Sequence, residues 1–139
     1  MREILFRAKR EDNGEWVCGY YVHLPDAAGV VHILHVPAKN PDERNNAYYI
    51  NSETLGQYTG LTDKNGTKIF EGDIVEYETG KKVRIGRVFF SDFRASFSVT
   101  AGKNGSARIN NDLFNYIQSR NSVIVIGNIY DNPELIGGK

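Results

Sequence analysis

Carboxylates are concentrated in one short stretch of this 139-residue chain, at spacings that suit a hard cation. They are Asp63, Glu71, Asp73, Glu76 and Glu78. Mg²⁺ and Ca²⁺ prefer oxygen ligands of this kind. An EF-hand is excluded, because aligning Gly66 with the loop glycine puts Leu61 at the first ligand and Gly72 at the last. Asp63 and Asp73 each stand at a turn, so capping of the local backbone is the favoured role. We predict no metal and no cofactor.

The three histidines do not have the spacing of a zinc site. His32 and His35 are an odd number of residues apart, so on one strand their side chains point to opposite faces. His23 can meet one of them across a hairpin, which leaves at most two ligands. Cys18 is the single cysteine, and its apolar neighbours predict a half-buried, unreactive thiol. No nucleophile with a histidine and a carboxylate stands out, so we predict no catalytic residue.

A basic and aromatic segment gives the alternative of nucleic-acid binding. The candidate contacts are Lys81, Lys82, Arg84, Arg87 and Arg94, with Phe89, Phe90 and Phe93 among them. Basic side chains neutralise phosphates, while exposed aromatic rings stack on unpaired bases. The nearby carboxylates of Glu76, Glu78 and Asp92 cancel part of this charge. A solvated hairpin tip above buried phenylalanines explains the same pattern and is favoured.

Composition limits the possible partners and the compartment. Seventeen basic residues balance seventeen acidic ones, so binding to nucleic acid or to a membrane would need a local patch. Hydrophobic residues make up 40% of the chain, enough for one domain or two small ones with a shared core. The apolar run near the start is too short for a signal peptide, and no segment reaches membrane-spanning length. We expect a cytoplasmic protein without membrane contact.

Apolar alternation and turn residues predict an antiparallel β-hairpin and meander over residues 1–56. Strong turn signals separate its strands, and Pro37–Asn46 is predicted to be a surface loop. The predicted strands are Ile4–Ala8, Trp16–Leu24, Val30–Val36 and Tyr48–Ile50.

Residues 57–139 begin a second series of strands after Gly56, and their glycine-marked corners favour a small SH3-like barrel. Gln57–Leu61 and Lys68–Phe70 flank a hairpin tip at residues 63–66. Along the strand near residue 97, Phe97 and Val99 should face inward, with Ser96, Ser98 and Thr100 outward. Val123–Ile126 is apolar on both faces, which predicts a central strand.

One or two short helices complete the expected mainly β fold. Asn110 or Asn111 is predicted to cap the first, which places Leu113, Phe114 and Ile117 on one side. Asn132 before Pro133 is predicted to cap a closing turn.

Three segments carry a family resemblance. They are Gly56–Gly66, Ile69–Val75 and Val125–Leu135, and the start at Ile4–Ala8 agrees with them. Together they closely resemble the YopX protein family of phages and prophages. The resemblance implies a mostly β protein with an SH3-type barrel, encoded by bacterial mobile elements. The family is one of unknown function, so it supplies no catalytic residue.

We therefore expect an uncharacterised, non-enzymatic accessory protein of a phage or prophage. Its partner is an unidentified protein or a second copy, since the eight tyrosines suit an interface and edge strands can pair. Binding of single-stranded nucleic acid through residues 81–94 is the alternative. The turn residues Asp63, Asn65, Gly66, Gly72 and Asp73 are candidates for architecture or for partner contact. Loss of partner capture without loss of stability on Asp63→Ala with Asn65→Ala would indicate contact.

Overall fold

The computed structural model describes residues 3–79, 82–101, 110–112 and 123–137, which are mainly β. The strands are β1 (Phe6–Arg10), β2 (Trp16–Asp26), β3 (Gly29–Val36), β4 (Asn46–Thr62), β5 (Lys68–Phe70), β6 (Asp73–Thr79), β7 (Lys82–Ser91), β8 (Ser96–Ala101), β9 (Asn110–Asp112) and β10 (Val123–Asn128). A 3-10 turn, Pro133–Ile136, follows them. The chain divides into two compact units, Met1–Tyr58 and Thr59–Lys139. Within the described ranges, no helix has the length and hydropathy needed to cross a bilayer.

Four antiparallel strands close into a barrel in the N-terminal unit. Each of β1, β2, β3 and the first part of β4 pairs with two neighbours, because β1 also pairs with β4. The core is built on the buried residues Ala8, Leu34 and Ile50. Alternate residues of each strand supply this core, and the residues between them face outward.

The hairpin of β2 and β3 is longer than the strands beside it. The register with β3 runs from Tyr20 opposite His35 to Asp26 opposite Gly29. On the other side, β1 pairs with β2 only as far as Gly19. Asp26 accepts a hydrogen bond from the Ala28 N–H at 2.8 Å and so supports the two-residue turn. We call residues 20–32 the β2–β3 ribbon.

β4 is one continuous strand, so the predicted short strand and restart at Gly56 are wrong. Its register with β1 shifts between Arg7 and Lys9. At this shift in register, the buried Thr54 hydroxyl bonds to backbone groups. It accepts from the Lys9 N–H at 2.8 Å and donates to the Asn51 carbonyl at 2.7 Å. Because a side chain replaces the missing ladder partners, the strand bends without ending.

The second sheet, in the C-terminal unit, has the strand order β10-β6-β7-β8-β9. Its core contains Ile69, Val75, Tyr77, Val88, Val99 and Val123. Gly86 on β7 allows close packing over this core. A Cβ at Gly86 would lie 2.6 Å from the Thr100 carbonyl oxygen and 2.8 Å from Val99 Cγ1. Those separations are too short for any side chain, so the packing requires glycine.

The prediction of a central strand at Val123–Ile126 is wrong, because β10 lies at the end of its sheet. β10 pairs with β6 on one side. On the other side, the Lys64 N–H donates to the Val123 carbonyl and the Val125 N–H donates to the Asp63 carboxylate, both at 2.9 Å. The turn at Asp63 and Lys64 therefore makes hydrogen bonds to this edge that a neighbouring strand would otherwise make.

Three further expectations concern the C-terminal unit. Asn110–Asp112 is a strand, and the helix predicted after it, with Leu113, Phe114 and Ile117, lies outside the described residues. Asn132 stands at the N-cap position before Pro133, as predicted, but its side chain makes no cap hydrogen bond, and its Oδ1 accepts instead from the Asn128 N–H at 3.2 Å. Ser98 and Thr100 are buried, although alternation placed them outside. Alternation separates the two faces of a strand, but what covers each face depends on tertiary structure.

Candidate interaction surface

The outer face of β2, β3 and β4 presents apolar side chains in register. Val22 on β2 lies opposite Ile33 on β3, and Ile33 lies opposite Tyr49 on β4. These three residues form a row across three strands, in which Ile33 lies between the other two and next to each of them. Val22 is 40% exposed and Tyr49 is 61% exposed. We call the whole set the apolar face; it comprises Tyr20, Val22, Leu24, Val31, Ile33 and Tyr49.

The apolar face lies in a segment almost without charge. Between residues 20 and 36 the sequence has no Lys, Arg or Glu, and its one carboxylate, Asp26, is at the tip of the ribbon. Exposed strands usually carry charges that keep other chains away. An exposed apolar surface without such charges is typical of an interaction site.

An acidic cleft of about 390 Å³ adjoins the apolar face, because Tyr49 belongs to both. The other lining residues are Glu11, Asp12, Ala47 and Tyr48. The Arg10 guanidinium lies 4.2 Å from the centre of the Tyr48 ring, and its Nε donates to Asp12 at 2.9 Å. This hydrogen bond lowers the pKa of the Asp12 carboxyl below its ordinary value.

Two cations pack on the single tryptophan, at the start of β2, where β2 pairs with β1. Arg7 and Lys9 lie 5.0 and 5.4 Å from the ring centre of Trp16. Such contacts hold both charges over the face of the ring. Cys18 lies opposite Arg7 and is exposed, so the prediction of a half-buried thiol is wrong. Residues of β2 with even numbers face outward, which the apolar neighbours of Cys18 did not reveal.

The histidines separate as their spacing predicts. His23 lies opposite His32 across the ribbon, and His35 lies opposite Tyr20 on the other face. His32 Nδ1 shares a hydrogen bond of 2.6 Å with the Tyr21 hydroxyl, and the two rings stack. In the part of the chain that the structure describes, no three His, Cys, Asp or Glu side chains are placed to hold a metal ion.

The predicted turn residues of the hairpin tip bind backbone groups. The Asp63 carboxylate is 8% exposed and accepts from the N–H groups of Asn65, Thr67 and Val125 at 2.8–2.9 Å. Gly66 has φ +82°, a conformation that side chains rarely adopt. Asn65 and Gly66 are exposed. The tip thus folds on Asp63 and fastens β10 to the same carboxylate.

Gly72 and Asp73 form the second predicted turn. Gly72 has φ +88°, donates its N–H to Val88 and accepts from Ile129, both at 2.9 Å. Asp73 is 1% exposed and accepts from the Phe70 N–H at 2.8 Å. Each aspartate of the predicted acidic cluster thus binds backbone in its own turn. A role for these turns in partner contact stays a prediction.

The structure does not bring the predicted basic residues onto one face. Lys82 and Arg84 share a face of β7, whereas Arg87 points to the opposite face because it is an odd number of residues from Arg84. Arg94 lies in the turn after β7, and Lys81 is outside the described residues. Nucleic-acid contact through this hairpin therefore stays a prediction.

The comparisons with known proteins identify the family. The family model described as "YopX protein" matches residues 5–137. The chain belongs to the YopX family. This YopX member is similar to the crystal structure of protein EF1440 from Enterococcus faecalis, with a TM-score of 0.56 and 24% identity. The similarity covers 98% of this chain and 99% of that chain, and at this identity it shows the fold alone. No curated protein matches the sequence.

The predicted membership is confirmed, but the sequence did not single out the apolar face. In the sequence, Tyr20 and Tyr49 are two of eight tyrosines, and Val22 is one residue of the predicted strand Trp16–Leu24. The available signal was the alternation of Tyr20, Val22 and Leu24 along β2. Because the residues between them are also large, this pattern does not tell which side faces out.

Proposed function

We propose that this YopX member is a non-enzymatic accessory protein of a phage or prophage, which acts in the cytoplasm by binding another protein. The apolar face carries the proposal. Three of its side chains on β2, Tyr20, Val22 and Leu24, are 53%, 40% and 48% exposed, and burying them against a partner is favourable. Aromatic and aliphatic side chains without neighbouring charges are typical of the centre of a protein interface.

The acidic cleft supports the same proposal by offering a polar contact at the border of that centre. Its Glu11 carboxylate is exposed, whereas that of Asp12 is paired with Arg10. Tyr49, which lines the cleft, lies opposite Ile33 of the apolar face. A partner segment with apolar side chains and a flanking basic residue fits this combination.

We also propose that residues 57–139 form an SH3-like barrel and residues 1–56 an N-terminal β-hairpin and meander subdomain. The order of the second sheet supports this, because the last strand, β10, pairs with β6, the first strand of the meander β6–β9. Such a barrel would be a scaffold for binding and not by itself evidence of activity.

The test compares two matched double variants in affinity capture from host lysate. Val22→Glu with Tyr49→Glu places charges on the apolar face. Val83→Glu with Ile85→Glu is the control, because those residues are 59% and 39% exposed on β7. We expect the amount of captured protein to fall at least about tenfold with the first variant and to stay unchanged with the second.

Retention of the captured protein by the Val22/Tyr49 variant would contradict the proposal. The nucleic-acid alternative predicts a different outcome: recovery is nuclease-sensitive, depends on salt, and is abolished by Lys82→Glu with Arg84→Glu. Circular dichroism of every variant checks that the fold is intact before the amounts of captured protein are compared.

A further inference from the structure

The acidic cleft is lined by carboxylates and by tyrosine rings. Glu11 and Asp12 belong to the turn after β1, and Tyr48 and Tyr49 belong to the first part of β4. The Glu11 N–H donates to the Tyr49 carbonyl at 2.9 Å, so a backbone bond holds the turn beside the strand. The cleft has a volume of about 390 Å³, within the range of about 300–1,000 Å³ that is typical of ligand pockets. Carboxylates and the faces of aromatic rings both attract cations.

The fold already holds one guanidinium group beside this cleft. The Arg10 guanidinium carbon lies 4.2 Å from the centre of the Tyr48 ring. Its Nε and Nη2 donate to the two carboxylate oxygens of Asp12 at 2.9 and 2.5 Å. This is the two-pronged geometry in which a carboxylate binds arginine, while the ring attracts the same charge. One tyrosine and one carboxylate are therefore enough to hold an arginine side chain here.

Glu11 and Tyr49 are the same two kinds of group, one residue away along each segment. Both side chains are exposed. Among the described residues, Glu11 forms no ion pair and no basic side chain lies over the Tyr49 ring. Asp12, in contrast, is paired with Arg10. The Glu11 charge and the Tyr49 ring can therefore both contact a cation of another molecule.

The chemistry of this second pair favours a guanidinium group over an ammonium group. A guanidinium is planar, stacks on aromatic faces, and presents N–H groups in a fork that matches a carboxylate. An ammonium is a compact, strongly hydrated point charge without this fork. The arrangement of Arg10 on Tyr48 is the guanidinium arrangement.

The position of Tyr49 relates the cleft to the apolar face. Tyr49 lies opposite Ile33 on β3, and Ile33 lies opposite Val22 on β2. Neighbouring strands are about 4.8 Å apart, so Val22 and Tyr49 are separated by about 10 Å. A partner whose apolar side chains cover Val22 and Ile33 therefore reaches the cleft with one long side chain.

We propose that Glu11 and Tyr49 bind an arginine side chain of the partner protein. The Glu11 carboxylate accepts hydrogen bonds from the guanidinium, and the Tyr49 ring stacks on it. The inference deepens the proposed function and rests on it, since it names the residue that the partner places at the border of the apolar face. Charge complementarity selects a cation, and the exposed ring selects a planar one.

A small probe tests the site without knowledge of the partner. N-acetyl-arginine amide is titrated into the isotope-labelled protein, and the backbone amide signals are followed by NMR. We expect saturable shifts at Glu11 and Tyr49 with a Kd of about 1–10 mM, the strength of one cation–π contact and one exposed, charge-assisted pair. N-acetyl-citrulline amide, with a neutral group of nearly the same shape, should give no saturable shift at equal ionic strength. N-acetyl-lysine amide should bind at least about threefold more weakly.

Matched variants assign the binding to the two residues. Glu11→Gln removes the charge and keeps the backbone bond to Tyr49, and it should weaken binding at least about fivefold. Tyr49→Leu keeps an apolar side chain without the ring, and it should weaken binding about threefold. Glu15→Gln is the control, because Glu15 is exposed in the same β1–β2 connection and does not line the cleft. The inference is overturned by unsaturable shifts, by equal binding of the citrulline or lysine amide, or by wild-type affinity of Glu11→Gln.

Capture from lysate separates this inference from the proposed function. Glu11→Gln should lower the amount of captured protein at least about fivefold, and Glu15→Gln should leave it unchanged. Capture that is lost with Val22→Glu and Tyr49→Glu but unchanged with Glu11→Gln would overturn the arginine site and support the binding function. Capture retained by the Val22/Tyr49 variant, together with saturable binding of the arginine probe, would overturn the function and support a guanidinium site.

Discussion

Removing the Asp63 carboxylate tests whether the hairpin tip is architecture. In Asp63→Ala, the N–H groups of Asn65, Thr67 and Val125 lose their acceptor together. The Val125 bond is the critical one, because it spans 62 residues and closes the open side of β10. We therefore expect the substitution to destabilise the C-terminal unit rather than the tip alone.

The magnitude follows from where each donor lies. The part-buried Val125 N–H, left without a partner, costs about 1–3 kcal/mol. The bonds from Asn65 and Thr67 are nearer to solvent and contribute about 0.5–1.5 kcal/mol each. Together, these losses lower the free energy of unfolding by about 4 kcal/mol. For a unit of this size, that corresponds to a melting temperature lower by about 20 °C.

Circular dichroism melting and amide hydrogen exchange measure the effect. Asp63→Asn is the informative partner variant: its amide oxygen can still serve the tip, but its NH₂ group faces the Val125 N–H. Exchange protection should then fall at Val125 and persist at Thr67. Asp26→Ala is the control, because Asp26 is exposed and accepts one hydrogen bond, from Ala28. An Asp63→Ala protein that melts within about 3 °C of the wild type would refute the reasoning.

Three further substitutions probe other parts of the fold. Gly86→Ala overpacks the core, so it should lower the free energy of unfolding by about 1–3 kcal/mol or prevent folding. Gly66→Ala has open space for its Cβ but a positive φ, and it should lower the free energy of unfolding by about 1–2 kcal/mol. Denaturant titration measures both. Thr54→Val should cost about 1–3 kcal/mol in the same titration because two backbone groups lose their partner, and Thr54→Ser should recover most of it. The hydrogen bond from Arg10 lowers the pKa of Asp12, so its stabilisation is present above about pH 4 and is lost as the pH falls through the folded-state pKa. The small difference in melting temperature between wild type and Asp12→Asn should accordingly disappear in acid, and a difference that persists there would contradict this assignment.

Local sequence rules predicted the first strands well. The predicted Trp16–Leu24 and Val30–Val36 differ by at most two residues at an end from β2 and β3. Alternation and turn residues act over a few neighbours, so they are readable without knowledge of the fold. The same rules ended β4 too early, because the bond of Thr54 to Lys9 joins residues 45 apart in sequence.

The candidate surface was much less predictable than the strands. Both sides of β2 carry large side chains, and only closure of the barrel places Tyr21 on the inside and Tyr20 on the outside. The basic residues near β7 appeared as one cluster in sequence, yet Arg84 and Arg87 lie on opposite faces. A charge count along the chain does not include the direction of a side chain.

The sequence by itself determined that this chain is mainly β, where most of its early strands lie, and that it belongs to the YopX family. Those properties depend on residue types and on the spacing of residues that are close in sequence. They can therefore be read without knowing which distant residues meet in the fold. Only the tertiary structure decided that β10 is an end strand closed by Asp63, and that the apolar face is exposed beside an open edge. Burial and edge pairing depend on contacts between distant residues, and no local pattern contains them.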